Sequence, residues 1–315
     1  MIEFERLGVV LNPIDELHAK FNSGALLLND TVHLMYRWAE IKEVTGGFGP
    51  GYVQNFVAYA RMTPDGKLLY DADKPTFKKT HQWEKWGLED PRIFRIDGKN
   101  YITYTACDNH RARVGFAIAN DDFTEIDKIG IVPALQFDKD AFLFPERING
   151  KLAYVHRFEP NIQIDYFDSF DELFEEDNWN NYTPDENGSV ALVGEQEWEK
   201  MKVGGSVPPI KTELGWLFIY HGVSDDRWPF CYRAGAALLD LNDPHKILAR
   251  LPYPILEPTA EYEIKGDVNN VVFPCGAYEY NGYLYLVYGG ADKVTALARC
   301  PMKNILDELK KYMKE

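Results

Sequence analysis

Cysteine is scarce in this chain of 315 residues. There are four, at positions 107, 231, 275 and 300, with no Cys-x-x-Cys and no Cys/His cluster at zinc spacing. A disulfide framework and a zinc module are thereby excluded, and the expected state of all four is the free thiol. Long apolar runs are missing as well. No segment reaches the roughly 18 apolar residues of a membrane helix, and the N-terminal Met1-Ile2-Glu3-Phe4-Glu5-Arg6-Leu7 starts acidic. Positive charge is the third shortage: 34 Lys and Arg stand against 49 Asp and Glu, a net charge of −15. Nucleic acid and anionic membrane surfaces are recognised by basic faces, so neither is an expected partner. The cytoplasm is the expected compartment, and any anionic substrate must find a local basic pocket.

Helical periodicity is also rare. It is clear only from Met302 to Lys314, where Ile305, Leu306, Leu309, Tyr312 and Met313 recur at helical spacing after Pro301. The acidic run from Asp171 to Asp177 reads as a solvated insertion with a short helix. No Gly/Ser-rich or Pro-rich linker divides the chain, so residues 1–315 are expected to form a single domain.

What the chain has in abundance is strand pattern. Aromatic residues make up 14%, with 19 Tyr and 7 Trp, suited to sheet packing or to stacking on sugar rings. One phrase, a turn followed by an alternating aromatic or aliphatic strand, recurs at 31–37, 99–105, 151–157, 215–221 and 282–288. The copies start roughly 50 to 70 residues apart, about a propeller blade plus a loop. A further strand precedes three of them across Asp97-Gly98, Asn149-Gly150 or Asn281-Gly282, the dipeptides favoured in two-residue hairpin turns. Glu146-Arg147-Ile148 is one such expected strand. Third strands follow at 114–119 and 234–239. The pattern predicts an all-β fold, a five-bladed β-propeller with a short C-terminal helix; a β-sandwich is the alternative.

In such a fold, residues at the ends of the repeated phrases converge although they are distant in sequence. Those ends supply Arg37, Asp108, His156, Arg157, His221 and Asp292, with Asn22, Asp90, Arg147 and Lys211 nearby. The stretch Gly87-Leu88-Glu89-Asp90-Pro91-Arg92 sets two carboxylates beside a proline and a fixed cation. A residue before proline is driven out of the right-handed helical region, so Asp90 is expected to be extended and held in place as a proton donor. Arg147, Arg157, Lys211 and His221 form an apt phosphate set, because guanidinium forks hold two oxygens and Lys adds a point charge. Trp83, Trp86, Tyr104, Phe142 and Phe144 serve either as a sugar platform or as core. Nothing in the sequence calls for a metal or an organic cofactor.

Phe21-Asn22-Ser23-Gly24-Ala25, Gly87-Leu88-Glu89-Asp90-Pro91-Arg92, Pro208-Pro209-Ile210-Lys211-Thr212, Tyr220-His221-Gly222-Val223, Asp267-Val268-Asn269-Asn270 and Tyr288-Gly289-Gly290-Ala291-Asp292 occur in this order. In these phrases the chain resembles glycoside hydrolase family 130, the β-mannoside phosphorylases and their hydrolytic relatives. The resemblance implies a five-bladed propeller and an inverting reaction, with Asp90 as the sole protein general acid, acting through a sugar hydroxyl, and phosphate as the nucleophile. It implies phosphate binding by Arg147, Arg157, Lys211 and His221, and sugar binding by Asn22 and Asp292, with Tyr104 and Asp108 nearby; Arg37, from the strand ends, is a further expected sugar contact. The implied partners are a β-mannoside oligosaccharide and inorganic phosphate as co-substrate, with self-association left open. A β-mannosidase using water and a non-catalytic glycan-binding propeller are the alternatives. One departure stands out: Val53-Gln54-Asn55-Phe56-Val57 replaces a Ser-Arg pair common in the family.

Overall fold

The computed structural model describes residues 2–43, 52–108 and 110–314. Turn chemistry sets the hairpins. Asn29-Asp30, Asp97-Gly98 and Asn281-Gly282 all have positive φ at both positions, the geometry whose twist matches paired antiparallel strands. They join His18–Leu28 to Thr31–Glu43, Gly87–Ile96 to Lys99–Cys107, and Val272–Tyr280 to Tyr283–Gly290. Asn149-Gly150 also turns with positive φ, but the expected strand Glu146-Arg147-Ile148 is absent and only the bridge Ile148 to Lys151 remains. The ladder partner of Leu152–Arg157 is Lys139–Leu143. It stops where Pro145, with no N–H to donate, follows Phe144.

The fold is all-β apart from short helices, the longest being Met302–Lys310 at the C-terminus. Among the described residues the strands form four hydrogen-bonded sheets. One holds Lys139–Leu143, Leu152–Arg157, Ile162–Phe167 and Val190–Leu192. Another holds Gly215–Ser224, Cys231–Leu239 and Ile247–Arg250, with both Lys202–Gly205 and Ile210–Thr212 on the free edge of Gly215–Ser224. In a third, Glu5–Leu11 from the start of the chain pairs with Val294–Pro301 and so completes the sheet of Val272–Tyr280 and Tyr283–Gly290. The eight-stranded fourth sheet divides into two groups, 18–71 and 87–131, which meet at a single parallel pair, Asn55 with Gly87.

All five repeated phrases lie in the second strands of these groups, and Gly215–Ser224 is buried along its whole length. Burial on both faces is what packing between neighbouring sheets demands. Apolar clusters join each group to the next. Met35, Val57 and Tyr59 pack with Leu88, Ile93 and Ile102, and Phe116 with Phe142, Tyr154 and Phe218. Leu217 and Leu238 pack with Leu284 and Leu286, and Tyr285 and Val287 with Leu34 and Trp38. The helix adds Met302, Ile305 and Leu309 from one face.

The close approach of strands near the centre depends on Gly24. A Cβ there would lie 2.7 to 2.9 Å from the backbone of Pro91, Arg92 and Ile93, which cannot yield as a side chain can. Gly24→Ala is expected to destabilise the fold by about 1–3 kcal/mol through overpacking. Thermal unfolding followed by circular dichroism checks this, and an unchanged Tm would contradict the packing described.

Candidate active site

Three first strands carry the same local device. Pairing steps from Phe21–Arg37 to Gly24–Met35, from Glu89–Thr105 to Arg92–Thr103, and from Lys139–Arg157 to Phe142–Val155, so each strand holds one extra residue, a β-bulge. Within the bulges Asn22, Asp90 and Asp140 take φ of 51, 48 and 54, the left-handed region that Asn and Asp tolerate best after Gly. Asp90 is therefore not extended as its place before Pro91 predicts. Proline disfavours the right-handed helical region, and the ladder on either side selects the left-handed one. The second strands of the hairpins supply Arg37 and Arg157, and Asp292 follows Gly290. These side chains converge on one cavity of about 340 Å³.

One wall is built around Asp90. Its Oδ1 accepts hydrogen bonds from Asn22 Nδ2 at 2.8 Å and Arg37 Nη1 at 3.3 Å. Arg37 also donates to Asn55 Oδ1 at 2.9 Å and Glu89 Oε1 at 3.2 Å, and its guanidinium lies over the Phe21 ring. Thus Asn55, within the segment that departs from the family pattern, holds Arg37 in place; the side chain of Val53 lies outside the described residues. Burial alone would push the Glu89 carboxyl up, but Arg37 and Lys139 hold it at about 2. The net shift of Asp292 is the other way: burial pushes it up to about 7, against Arg37 and with help from the charges of Asp90, Asp267 and Glu89. At neutral pH Asp292 is thus shared between a carboxyl that donates and a carboxylate that accepts.

The second wall is cationic. Asp140 pairs with Arg92 at 2.9 Å and with Arg157 at 2.9 Å. Although burial opposes it, these guanidinium groups hold Asp140 well below the usual carboxylate range. Arg157 and Lys202 both reach Glu159, at 3.2 and 2.8 Å. His221 sits behind this wall, against the Phe273 ring. Burial holds it neutral, with its pKa down at about 3, so that Nδ1 can donate to Ser206 Oγ at 3.1 Å while Nε2 faces Arg157 Nη1 at 3.5 Å. A Cβ on Gly204 would strike both the His221 ring and Asp140 Oδ2, which explains the glycine.

The structure brings together Asn22, Arg37, Asp90, Arg157 and Asp292 around the cavity, with His221 directly behind. Four expected site residues lie elsewhere. Arg147 pairs with Asp97 and with the carbonyls of Gly150 and Asp168, beside the hairpin turns, whereas the cavity lies at the open ends of those hairpins. Lys211 pairs with exposed Glu146 and sits opposite Trp216. That is five residues, roughly 17 Å at about 3.3 Å per residue, along the strand from His221. Tyr104 is core, its hydroxyl donating to Glu84 at 2.7 Å. Asp108 caps its own loop at the amides of His110 and Arg111 and pairs with Arg113.

His156 is also outside, buried between Asp138 and Asp165. Phe142 and Phe144 are core rather than a platform, and Trp83 is covered by Arg113. Lys139, Lys202, Glu159 and Tyr232 line the cavity without having been singled out. Lys202 carried one readable signal, its place just before the Gly204-Gly205 pair. Among the described residues no group of three or more His, Cys, Asp or Glu is arranged to hold a metal, and no helix is long and apolar enough to cross a membrane.

Comparison with known proteins identifies the family. A family profile described as β-1,4-mannooligosaccharide phosphorylase matches residues 3–311. The chain belongs to glycoside hydrolase family 130. Within family 130 it is similar to a 1,2-β-oligomannan phosphorylase of Thermoanaerobacter sp. (strain X514), 38% identical over 97% of this chain and 99% of that protein. It is also similar to a β-1,2-mannobiose phosphorylase of the same organism, 40% identical over 90% and 91% of the two chains. Among solved family 130 structures, β-1,2-mannobiose phosphorylase from Listeria innocua in complex with β-1,2-mannobiose matches with a TM-score of 0.82 and 26% identity. That match covers 98% of this chain and 99% of that one.

Asp292 yields a pH test. A carboxyl whose pKa is raised in the folded state contributes stability that is present at low pH. That contribution is lost as pH rises from the ordinary carboxylate range through about 7. Asp292→Asn is expected to shrink the fall in Tm between pH 5 and pH 8 relative to the wild type. An identical fall in both proteins would contradict the burial of this carboxyl.

Proposed function

We propose that this protein is an inverting phosphorylase of short β-mannosides, acting on β-1,2 linkages and releasing α-mannose 1-phosphate. The observation that carries the reading is the division of one cavity into an Asp90 wall and a cationic wall of Arg157, Lys139 and Lys202. In the proposed reaction a phosphate oxygen attacks the anomeric carbon from one face. The glycosidic C–O bond breaks on the other, while Asp90 gives its proton to a sugar hydroxyl, which passes its own to the leaving oxygen. Both contacts to Asp90 go to Oδ1, so Oδ2 is the oxygen available to carry that proton. Inverting hydrolysis needs a second carboxylate to activate water; phosphate arrives already ionised and needs no such base. Asn22 and Asp292 stand on the sugar side.

The β-1,2 preference rests on the two Thermoanaerobacter relatives, whose names specify that linkage. The fold we infer is a single domain, a five-bladed propeller. Support comes from the single parallel pair that divides the eight-stranded sheet, and from apolar clusters that link the five groups in order and the last to the first.

Asp90→Asn is expected to lower kcat on β-1,2-mannobiose by about 10²–10⁴-fold, the usual contribution of a positioned acid, with Tm little changed. Arg157→Ala is expected to raise KM for phosphate at least about tenfold, as loss of a charge-assisted contact does, whereas Lys211→Ala and Arg147→Ala should leave it within about twofold. Steady-state kinetics with phosphate varied checks all four. Full activity in Asp90→Asn, or a phosphate defect in Lys211→Ala larger than in Arg157→Ala, would overturn the assignment.

A further inference from the structure

The cavity poses a charge problem for the proposed reaction. Four cations line it, Arg37, Lys139, Arg157 and Lys202, but so do five carboxylates: Glu89, Asp90, Asp140, Glu159 and Asp292. A phosphate dianion entering this set meets more negative charge than positive unless a carboxylate leaves or keeps its proton. Asp90 is committed to the acid role, and Asp292 holds a proton readily. Neither of these faces the cationic wall through a contact of its own. Glu89 cannot leave, because it is held by Arg37, Asn55 and Lys139. Asp140 is buried between two guanidinium groups and cannot leave either.

Glu159 differs from all of these. Its side chain is 52% exposed, yet its carboxylate reaches Arg157 Nη2 at 3.2 Å and Lys202 Nζ at 2.8 Å. These two cations come from different sheets, at the end of Leu152–Arg157 and the start of Lys202–Gly205. One carboxylate oxygen, Oε1, spans the pair, as a phosphate oxygen would. Arg157 Nε, meanwhile, is buried with no hydrogen-bond partner, so this guanidinium retains a donor that Glu159 does not use.

We propose that Glu159 is an internal competitor for the phosphate site. With no phosphate bound its carboxylate neutralises Arg157 and Lys202, and phosphate binding displaces it toward solvent, where it has room to go. The inference rests on the phosphorylase reading and deepens it: Glu159 sets phosphate affinity by opposing it. Together the two pairs of this half-exposed carboxylate are worth about 1 kcal/mol, a factor of about five in affinity.

The test is titration calorimetry of inorganic phosphate into the wild-type protein and Glu159→Gln, together with KM for phosphate in both. Glutamine keeps the size and removes the charge, and the exposed position makes the fold indifferent to the change. Glu159→Gln is expected to bind phosphate about fivefold more tightly and to lower KM for phosphate by a similar factor, with KM for β-1,2-mannobiose moving less. Unchanged or weaker phosphate binding in Glu159→Gln, in an enzyme whose turnover requires phosphate, would overturn the competitor role alone. Wild-type turnover that proceeds without phosphate would instead overturn the phosphorylase reading beneath it.

Discussion

The site depends on one buried guanidinium, that of Arg92. It leaves the strand Gly87–Ile96 and donates to its own neighbour's carbonyl, Asp90 O, at 2.8 Å, and to Asp140 Oδ1 in the next sheet at 2.9 Å. It also reaches the carbonyls of Gly205 and Ser206 beyond that. Three groups of strands are thus tied at their open ends by a single side chain that is 1% exposed. An ion pair in such a place contributes little net stability over an apolar pair, but loss of one partner strands a buried charge at a cost of about 3–5 kcal/mol. What Arg92 contributes is position. It holds the bulge that turns Asp90 inward and, through Asp140, holds Arg157 opposite.

From that constraint the electrostatics of the cavity follow. Asp140 is committed to Arg92 and Arg157 and is the anion that keeps two cations side by side. His221, buried behind them, stays neutral because burial disfavours its charged form, and Arg157 and Arg92 add to that. On the other wall Arg37 serves Asp90, Asn55 and Glu89 together. Burial then leaves Asp292 with its pKa near neutrality, although Arg37 opposes the shift. The buried Asp90, a titratable carboxyl and a cationic wall in one cavity supply the groups that the proposed inverting transfer to an anion needs.

Much of this was legible in the sequence. The Asn-Gly and Asp-Gly turns and the alternating phrases located the second strands, and with them Arg37, Arg157, His221 and Asp292. The motif around Asp90 located a carboxylate that lines the cavity. Illegible were the bulges, because one extra residue in a ladder leaves no composition signal, and the place of Asp90 before Pro91 points to an extended backbone instead. Two cations were misplaced for a common reason. Arg147 and Lys211 belong to strand-like stretches at the turn ends of their hairpins, while Lys139 and Lys202, earlier in the chain, stand at the open ends. Two short strands, Lys202–Gly205 and Ile210–Thr212, share the same neighbour, and only their register tells which lysine reaches the site.

The most direct test of the account is the product formed from β-1,2-mannobiose, followed by phosphorus and proton magnetic resonance with and without inorganic phosphate. The account requires α-mannose 1-phosphate and mannose in equal amounts when phosphate is present, and no turnover when it is absent. Release of free mannose alone, at the same rate in both conditions, would contradict it.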